Sequence, residues 1–157
     1  MKLSSANKNY GFTIVELLIV IVVIAILASI SIVSYNGVQN RAKATAASSA
    51  AKNVATKAEM ANTFKGFYPG VIGDFNDNSE SKIAGTGLIL GTPDATNGTS
   101  TVSYHKCTAG SPTAVVGGAR VGAWNYDAGS GYVYTYLGNA TAANASTCST
   151  STQVTGQ

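Results

Sequence analysis

The sequence predicts an α+β fold: a long N-terminal hydrophobic α-helix whose second half packs on a small antiparallel β-sheet in a globular head. Three observations lead there. From Leu17 to Val33 the chain carries no charge, Gly or Pro, and its polar residues are Ser29 and Ser31. Val38–Phe64 is dense in helix-favouring Ala, interspersed with Arg41, Lys43, Lys52, Lys57 and Glu59. After Lys65-Gly66 the composition turns to Gly, Thr, Ser, Asn and Asp, and helical periodicity gives way to strand-like alternation. The expected division is a leader over 1–11, an apolar helix over 12–35, its amphipathic continuation over 36–65, and a β-rich head over 66–157.

Residues 1–11 are polar and rich in Asn, Ser and Lys, without periodic pattern. As a helix, Phe12–Val33 spans roughly 33 Å at ~1.5 Å per residue, which matches a hydrocarbon core of about 30 Å. It is apolar all round, as a helix buried in lipid or in a protein filament must be. Its β-branched residues disfavour helix slightly in water, but in a membrane the backbone must satisfy its own hydrogen bonds, so helix wins. Tyr35 stands where an interfacial aromatic belongs. Asn36-Gly37 predicts a bend or local break. Beyond it, Val38, Ala42, Val54, Ala58, Ala61 and Phe64 form an apolar stripe that predicts the face laid on the sheet. A helix running from Phe12 to Phe64 is about 80 Å long. Lys65-Gly66, with Pro69 beyond, supplies the stop.

Phe67–Asp94 reads as a loop-rich connection with a short helical or extended piece at Ile83–Leu90. Strands are expected over Thr99–Lys106, Ala119–Tyr126 and Gly131–Leu137, the last two joined by a Gly-containing turn at Asp127–Gly131. The tail, Asn139–Gln157, reads as irregular.

Composition narrows the function. With 157 residues, 45% hydrophobic and 11% charged, the chain suits one small domain plus a membrane segment. Its net charge of +3 is not gathered into a basic patch, so no dedicated nucleic-acid surface is indicated. His105 is the sole histidine, and neither a nucleophile elbow nor a Gly-rich phosphate loop is present, so no enzyme and no cofactor are read from the residues. Asp74-Phe75-Asn76-Asp77-Asn78-Ser79-Glu80 has part of a calcium-loop pattern, but Ser79 replaces the turn glycine and Gly85 stands where the terminal Glu belongs. It reads as a solvated acidic loop, with calcium binding as the minor alternative. Trp124, Tyr126, Tyr132, Tyr134 and Tyr136 form either a half-buried sheet face or an adhesive stacking face. Sequons begin at Asn97, Asn139 and Asn144, a pattern common by chance in a Thr- and Ser-rich chain. Cys107 and Cys148 allow one bridge or two buried thiols. A bridge closes a loop of about 40 residues, stabilises by roughly 3–4 kcal/mol, and needs an oxidising compartment.

Glu16 is the residue out of place. It lies near the start of the apolar run, where lipid burial costs roughly 2–3 kcal/mol, and a charge kept there calls for a partner. The stretch around it, YGFTIVELLIVIVVIAILA, closely resembles the N-terminus of type IV prepilins and of the pseudopilins of type II secretion. The resemblance covers roughly residues 8–35. It rests on Gly-Phe-Thr, on a Glu four residues after the Phe, and on the unbroken apolar run.

The resemblance implies the rest. A membrane prepilin peptidase cuts between Gly11 and Phe12 and N-methylates Phe12. Loss of Lys2 and Lys8 with the leader lowers the net charge from +3 to +1, eight Lys and Arg against seven Asp and Glu. Glu16 serves assembly by pairing with the freed amine of Phe12, on its own or an adjacent subunit. The cysteine pair resembles the disulfide-closed loop of many such pilins, which raises the bridge reading. An ordinary secretory signal is cut after its apolar core, whereas this motif lies before it. Lys2 and Lys8 precede the span and Arg41, Lys43 and Lys52 follow it, so charge alone does not orient it. The outside placement of the C-terminus comes from the resemblance and the cysteines.

The implied protein is a structural pilus subunit. It waits in the cytoplasmic membrane and then polymerises into an extracellular helical filament for adhesion, motility or DNA uptake. Its partners are other copies of itself, the peptidase, the assembly motor and platform proteins, the membrane, and host surfaces or DNA. The alternatives are a secretion pseudopilin, a minor or tip subunit acting as a binding module, and an anchored domain that never polymerises.

Overall fold

The computed structural model describes residues 11–107, 117–142, 148 and 153–156, with Val33 described by its backbone. Most of the expected leader and the sequon at Asn144 lie outside the described residues. The chain divides into two compact units, Met1–Val38 and Gln39–Gln157.

Helix α1 (Ile14–Lys65) begins in the first unit and ends in the second. In the first unit it is long and apolar enough to cross a membrane, and its most apolar window has a mean hydropathy of 3.1. None of that window is buried within the chain. Leu17, Ile21 and Ile24 are each more than half exposed. Ser29 and Ser31 turn their hydroxyls onto the carbonyls of Ile26 and Leu27, which removes the polar atoms from the apolar surface. Of the bend or local break expected at Asn36-Gly37, the break is corrected: α1 stays helical through both residues. One helical glycine costs about 1 kcal/mol relative to alanine, too little to break a helix cooperative over many turns.

In the second unit α1 lays Ala47, Ala50, Ala51, Val54, Ala55, Ala58 and Ala61 into the core. This revises the predicted stripe. Val54, Ala58 and Ala61 belong to it, but Val38 and Phe64 are 66% and 58% exposed and Ala42 is exposed as well. The true face is set by small residues, six alanines and one valine, that join the buried core. Large apolar side chains at Val38 and Phe64 had drawn the expected stripe off that face. Gly66, at φ +75°, terminates the helix and donates its N–H to the Asn62 carbonyl at 2.8 Å.

After the helix come α2 (Ile72–Asn76) and four strands: β1 (Ile89–Leu90), β2 (Thr101–Cys107), β3 (Gly118–Trp124) and β4 (Tyr132–Gly138). The sheet order is β1-β2-β3-β4. β1 pairs parallel with β2, while β2–β3 and β3–β4 are antiparallel, with Tyr104 opposite Val121 and Gly122 opposite Tyr134. The fold is therefore α+β, a long N-terminal helix with a four-stranded, mostly antiparallel sheet. The three expected strands are present with ends shifted by one or two residues. The expected piece at Ile83–Leu90 reduces to the two residues of β1. Helix α2 was not expected, because five residues inside a Gly- and Asn-rich stretch leave no measurable period.

The core of the second unit joins the α1 alanines to Phe75, Ile83, Leu90, Val102, Tyr104 and Val121. Phe75 meets Tyr104 edge-on, ring centroids 5.0 Å apart. The described end of the tail is not irregular. Leu90 and Gly156 exchange two backbone hydrogen bonds, of 2.8 and 3.0 Å, and the Val154 N–H donates to the Tyr104 carbonyl. The first pair covers the outer edge of β1, and the Val154 bond continues along β2 beyond it. Cys107, at the end of β2, is bonded to Cys148, with the two sulfurs 2.09 Å apart.

Candidate functional site

The N-terminal site is built on the first turn of α1. Gly11, Phe12 and Thr13 precede the helix and are exposed, Phe12 by 89%. The peptide bond between Gly11 and Phe12 thus lies in non-helical backbone, the conformation in which a protease can grip a chain. A Cβ placed on Gly11 would meet nothing within 4 Å, so the chain's own packing does not demand a glycine there.

Thr13 and Glu16 close a reciprocal cap. The Thr13 backbone N–H donates to Glu16 Oε2 at 2.8 Å, and the Thr13 hydroxyl donates to the same oxygen at 2.7 Å. The Glu16 N–H in turn reaches Thr13 Oγ1 at 3.2 Å. This is the capping-box arrangement, which satisfies two donors that a helix start leaves open. A carboxylate in the first turn also faces the positive end of the helix dipole. Phe12, Glu16, Leu17, Ile19 and Val20 line one shallow recess that is apolar apart from the carboxylate. The structure thus brings Phe12 and Glu16 to one place and adds Thr13, which sequence reasoning missed. The signal was present in the Thr-x-x-Glu spacing of residues 13–16.

The other flagged residues resolve differently. Asp74 accepts hydrogen bonds from the N–H groups of Gly70 and Val71, at 2.8 and 3.2 Å, and is paired with Lys65 at 3.0 Å. Asp77 also pairs with Lys65. Asn76 Oδ1 accepts from the N–H groups of Ile83 and Ala84. Asp74, Asn76 and Asp77 of the partial calcium pattern are therefore engaged by the start of α2, by Lys65 and by the following loop. Among the described residues no group of three or more His, Cys, Asp or Glu side chains is placed to hold a metal ion.

Burial alone would raise the Asp74 carboxyl, but the hydrogen bonds from Gly70, Lys65 and Val71 outweigh it and hold it below the usual aspartate range. Burial pushes the phenol of Tyr104 far up, and that of Tyr68 likewise, helped by the Glu59 carboxylate, whose Oε1 accepts a hydrogen bond from the Tyr68 hydroxyl at 2.8 Å. Tyr68 and Tyr104 belong to the buried core, and Asp74 is held by Lys65 and the Gly70 and Val71 N–H groups.

On the sheet, Trp124, Tyr132, Tyr134 and Tyr136 form a continuous aromatic row with neighbouring centroids 5.9, 5.9 and 6.3 Å apart. The Arg120 guanidinium lies 4.6 Å from the Tyr134 ring centre. Gly122 is needed beneath that ring: a Cβ there would come within 2.8 Å of Tyr134. All four rings are half-buried: Trp124 faces Tyr132 across the strand pair, and Tyr134 and Tyr136 follow at every second residue of β4.

Residues 6–32 match the family model of the prokaryotic N-terminal methylation motif. The motif supports the type IV prepilin and pseudopilin family, whose precursors carry it as a class III signal. That family is structural rather than enzymatic, and its members are processed by prepilin peptidase and assemble into filaments in general. The signal and the apolar helix together fit a membrane-anchored precursor. Comparisons with curated proteins and with solved structures gave no match.

Proposed function

We propose that this chain is a type IV pilin, cut between Gly11 and Phe12, N-methylated at Phe12 and polymerised into a surface filament. The observation that carries the reading is the juxtaposition at the head of α1: a methylation motif, one carboxylate, and an apolar helical segment left exposed among the described residues. A helix so exposed needs lipid before assembly and neighbouring helices after it. Exchange of one for the other keeps it dry and adds packing.

Cutting at Gly11 frees an amine at Phe12, one residue from the Thr13 N–H that already reaches Glu16. In a low-dielectric setting an ammonium and a carboxylate attract strongly, and either alone is expensive. Glu16 accepts the Thr13 cap in the precursor and the Phe12 ammonium of its own or an adjacent subunit in the filament, which sets axial register. The Cys107–Cys148 bond supports an oxidising compartment for the second unit, outside the cytoplasmic membrane.

Glu16→Val tests the assembly role. The variant is expected to be cut and methylated as before, yet to give at least tenfold fewer filaments in material sheared from cells. Filaments at the normal level would remove Glu16 from assembly.

A further inference from the structure

Among the described residues the β4 strand ends the sheet without any of the devices that usually close an edge. It pairs with β3 over all seven residues, from Gly118 opposite Gly138 to Trp124 opposite Tyr132, with no bulge. The opposite edge of the sheet, β1, is short and is covered by the Gly156 bridge. The outward-facing N–H and C=O groups of Tyr132, Tyr134 and Tyr136 make no backbone hydrogen bond among the described residues, whereas Val133, Thr135 and Leu137 belong to the set turned to β3. Tyr132-Val133-Tyr134-Thr135-Tyr136 contains no charge and no proline. Natural edge strands are normally blunted by lysine, proline, a bulge or a cover, and an edge lacking all four accepts another strand.

Beside β4 the surface of α1 is also left open. On the helix side of β4, Leu137 is buried, but Val133 is 57% exposed and Thr135 is exposed. Both line a groove of about 240 Å³ whose far wall is Ala44, Ser48, Ala51 and Lys52 of α1. A row of open N–H and C=O groups is matched by another extended backbone and by little else, and a strand added here would set alternate side chains over that groove.

We propose that β4 is a strand-addition site for a second copy of this chain, β4 against β4, antiparallel about Tyr134. The sequence of the strand is what selects a second copy. In this register Tyr132 faces the other copy's Tyr136 and Tyr134 faces Tyr134, extending the aromatic row across the seam with rings pairing at cross-strand distance. On the helix side Val133 faces the other copy's Thr135, so each covers the other's exposed side chain. The strand is uncharged, so self-pairing brings no like charges together. The contact is isologous and closes after two copies, so it is separate from the open-ended contact that a helical filament needs, and it stands or falls independently of processing at Gly11.

The test uses the full chain in detergent micelles. Two single variants, Val133→Cys and Thr135→Cys, are purified with the native disulfide intact and mildly oxidised, alone and mixed. The mixture is expected to give a disulfide-linked dimer at least tenfold above either variant alone. A Thr135→Lys exchange placed in the Val133→Cys partner, on a side chain already in solvent, is expected to cut that crosslink at least tenfold while the thermal midpoint stays within a few degrees of the parent. The outward amides of Tyr132, Tyr134 and Tyr136 should also exchange more slowly as protein concentration rises. A mixture that does not crosslink while each variant melts like the parent would overturn the proposal. So would a crosslink as strong in either variant alone, or one that Thr135→Lys leaves untouched.

Discussion

At the head of α1, Glu16 Oε2 accepts from both the backbone and the hydroxyl of Thr13, and these charge-assisted bonds lower the cost of a carboxylate in an apolar segment. Thr13→Val keeps the shape and the backbone donor and removes the hydroxyl. It should destabilise the first turn by about 1 kcal/mol, seen as faster amide exchange over residues 14–17 in micelles while the rest of α1 is unchanged. Asp74 gives a second prediction at this scale. Its carboxyl titrates below the ordinary aspartate value because the bonds from Gly70, Lys65 and Val71 outweigh burial. The stabilisation it contributes is therefore complete above about pH 3.9, the unperturbed value, and is lost as pH falls through its lower folded value. Asp74→Asn should lower the thermal midpoint at pH 7, and the gap to wild type should narrow as the pH approaches 2. An equal gap at both pH values would contradict that role.

Among the elements, α1 was legible because Leu17–Val33 has no charge to break the pattern and because Lys65-Gly66 is a strong stop. The strands were legible from alternation, most plainly in Tyr132–Leu137. Less legible was the core face of α1. Its sequence is mostly alanine, so every face reads as equally mild, and only the approach of the sheet selects Ala47, Ala51, Val54 and Ala58. Of the site, Glu16 stood out as a charge in an apolar run. Thr13, an ordinary helix N-cap residue, did not. The bonds of Gly156 and Val154 to β1 and β2 had no signal, since a Thr- and Gly-rich tail pairs through backbone alone.

Two substitutions test the element-level reading. A Cβ on Gly37 meets nothing within 4 Å, and Gly37 lies inside the helix, so Gly37→Ala should stabilise α1 by roughly 0.5–1 kcal/mol, measured as slower amide exchange around it. Ala58 is fully buried against the sheet, so Ala58→Leu should destabilise the second unit by roughly 1–3 kcal/mol in denaturant unfolding.

For the molecule as a whole, the two units divide the work. The first supplies an uncovered apolar helix that asks for lipid or for other helices. The second holds the buried core and the disulfide, which spans a sequence separation of 41 residues. Loop closure of that length is worth roughly 3–4 kcal/mol in the chain-entropy picture, so reduction should lower the thermal midpoint of the second unit markedly and leave the helicity of residues 14–38 in micelles unaltered.

The most direct measurement is intact-mass and N-terminal mass spectrometry on protein sheared from the surface of the producing cells. A chain that begins at N-methylated Phe12, and is two hydrogens lighter through the Cys107–Cys148 bond, is the expected result. A chain that still begins at Met1, or is cut after the apolar segment, would contradict the pilin reading and leave a membrane-anchored or secreted domain.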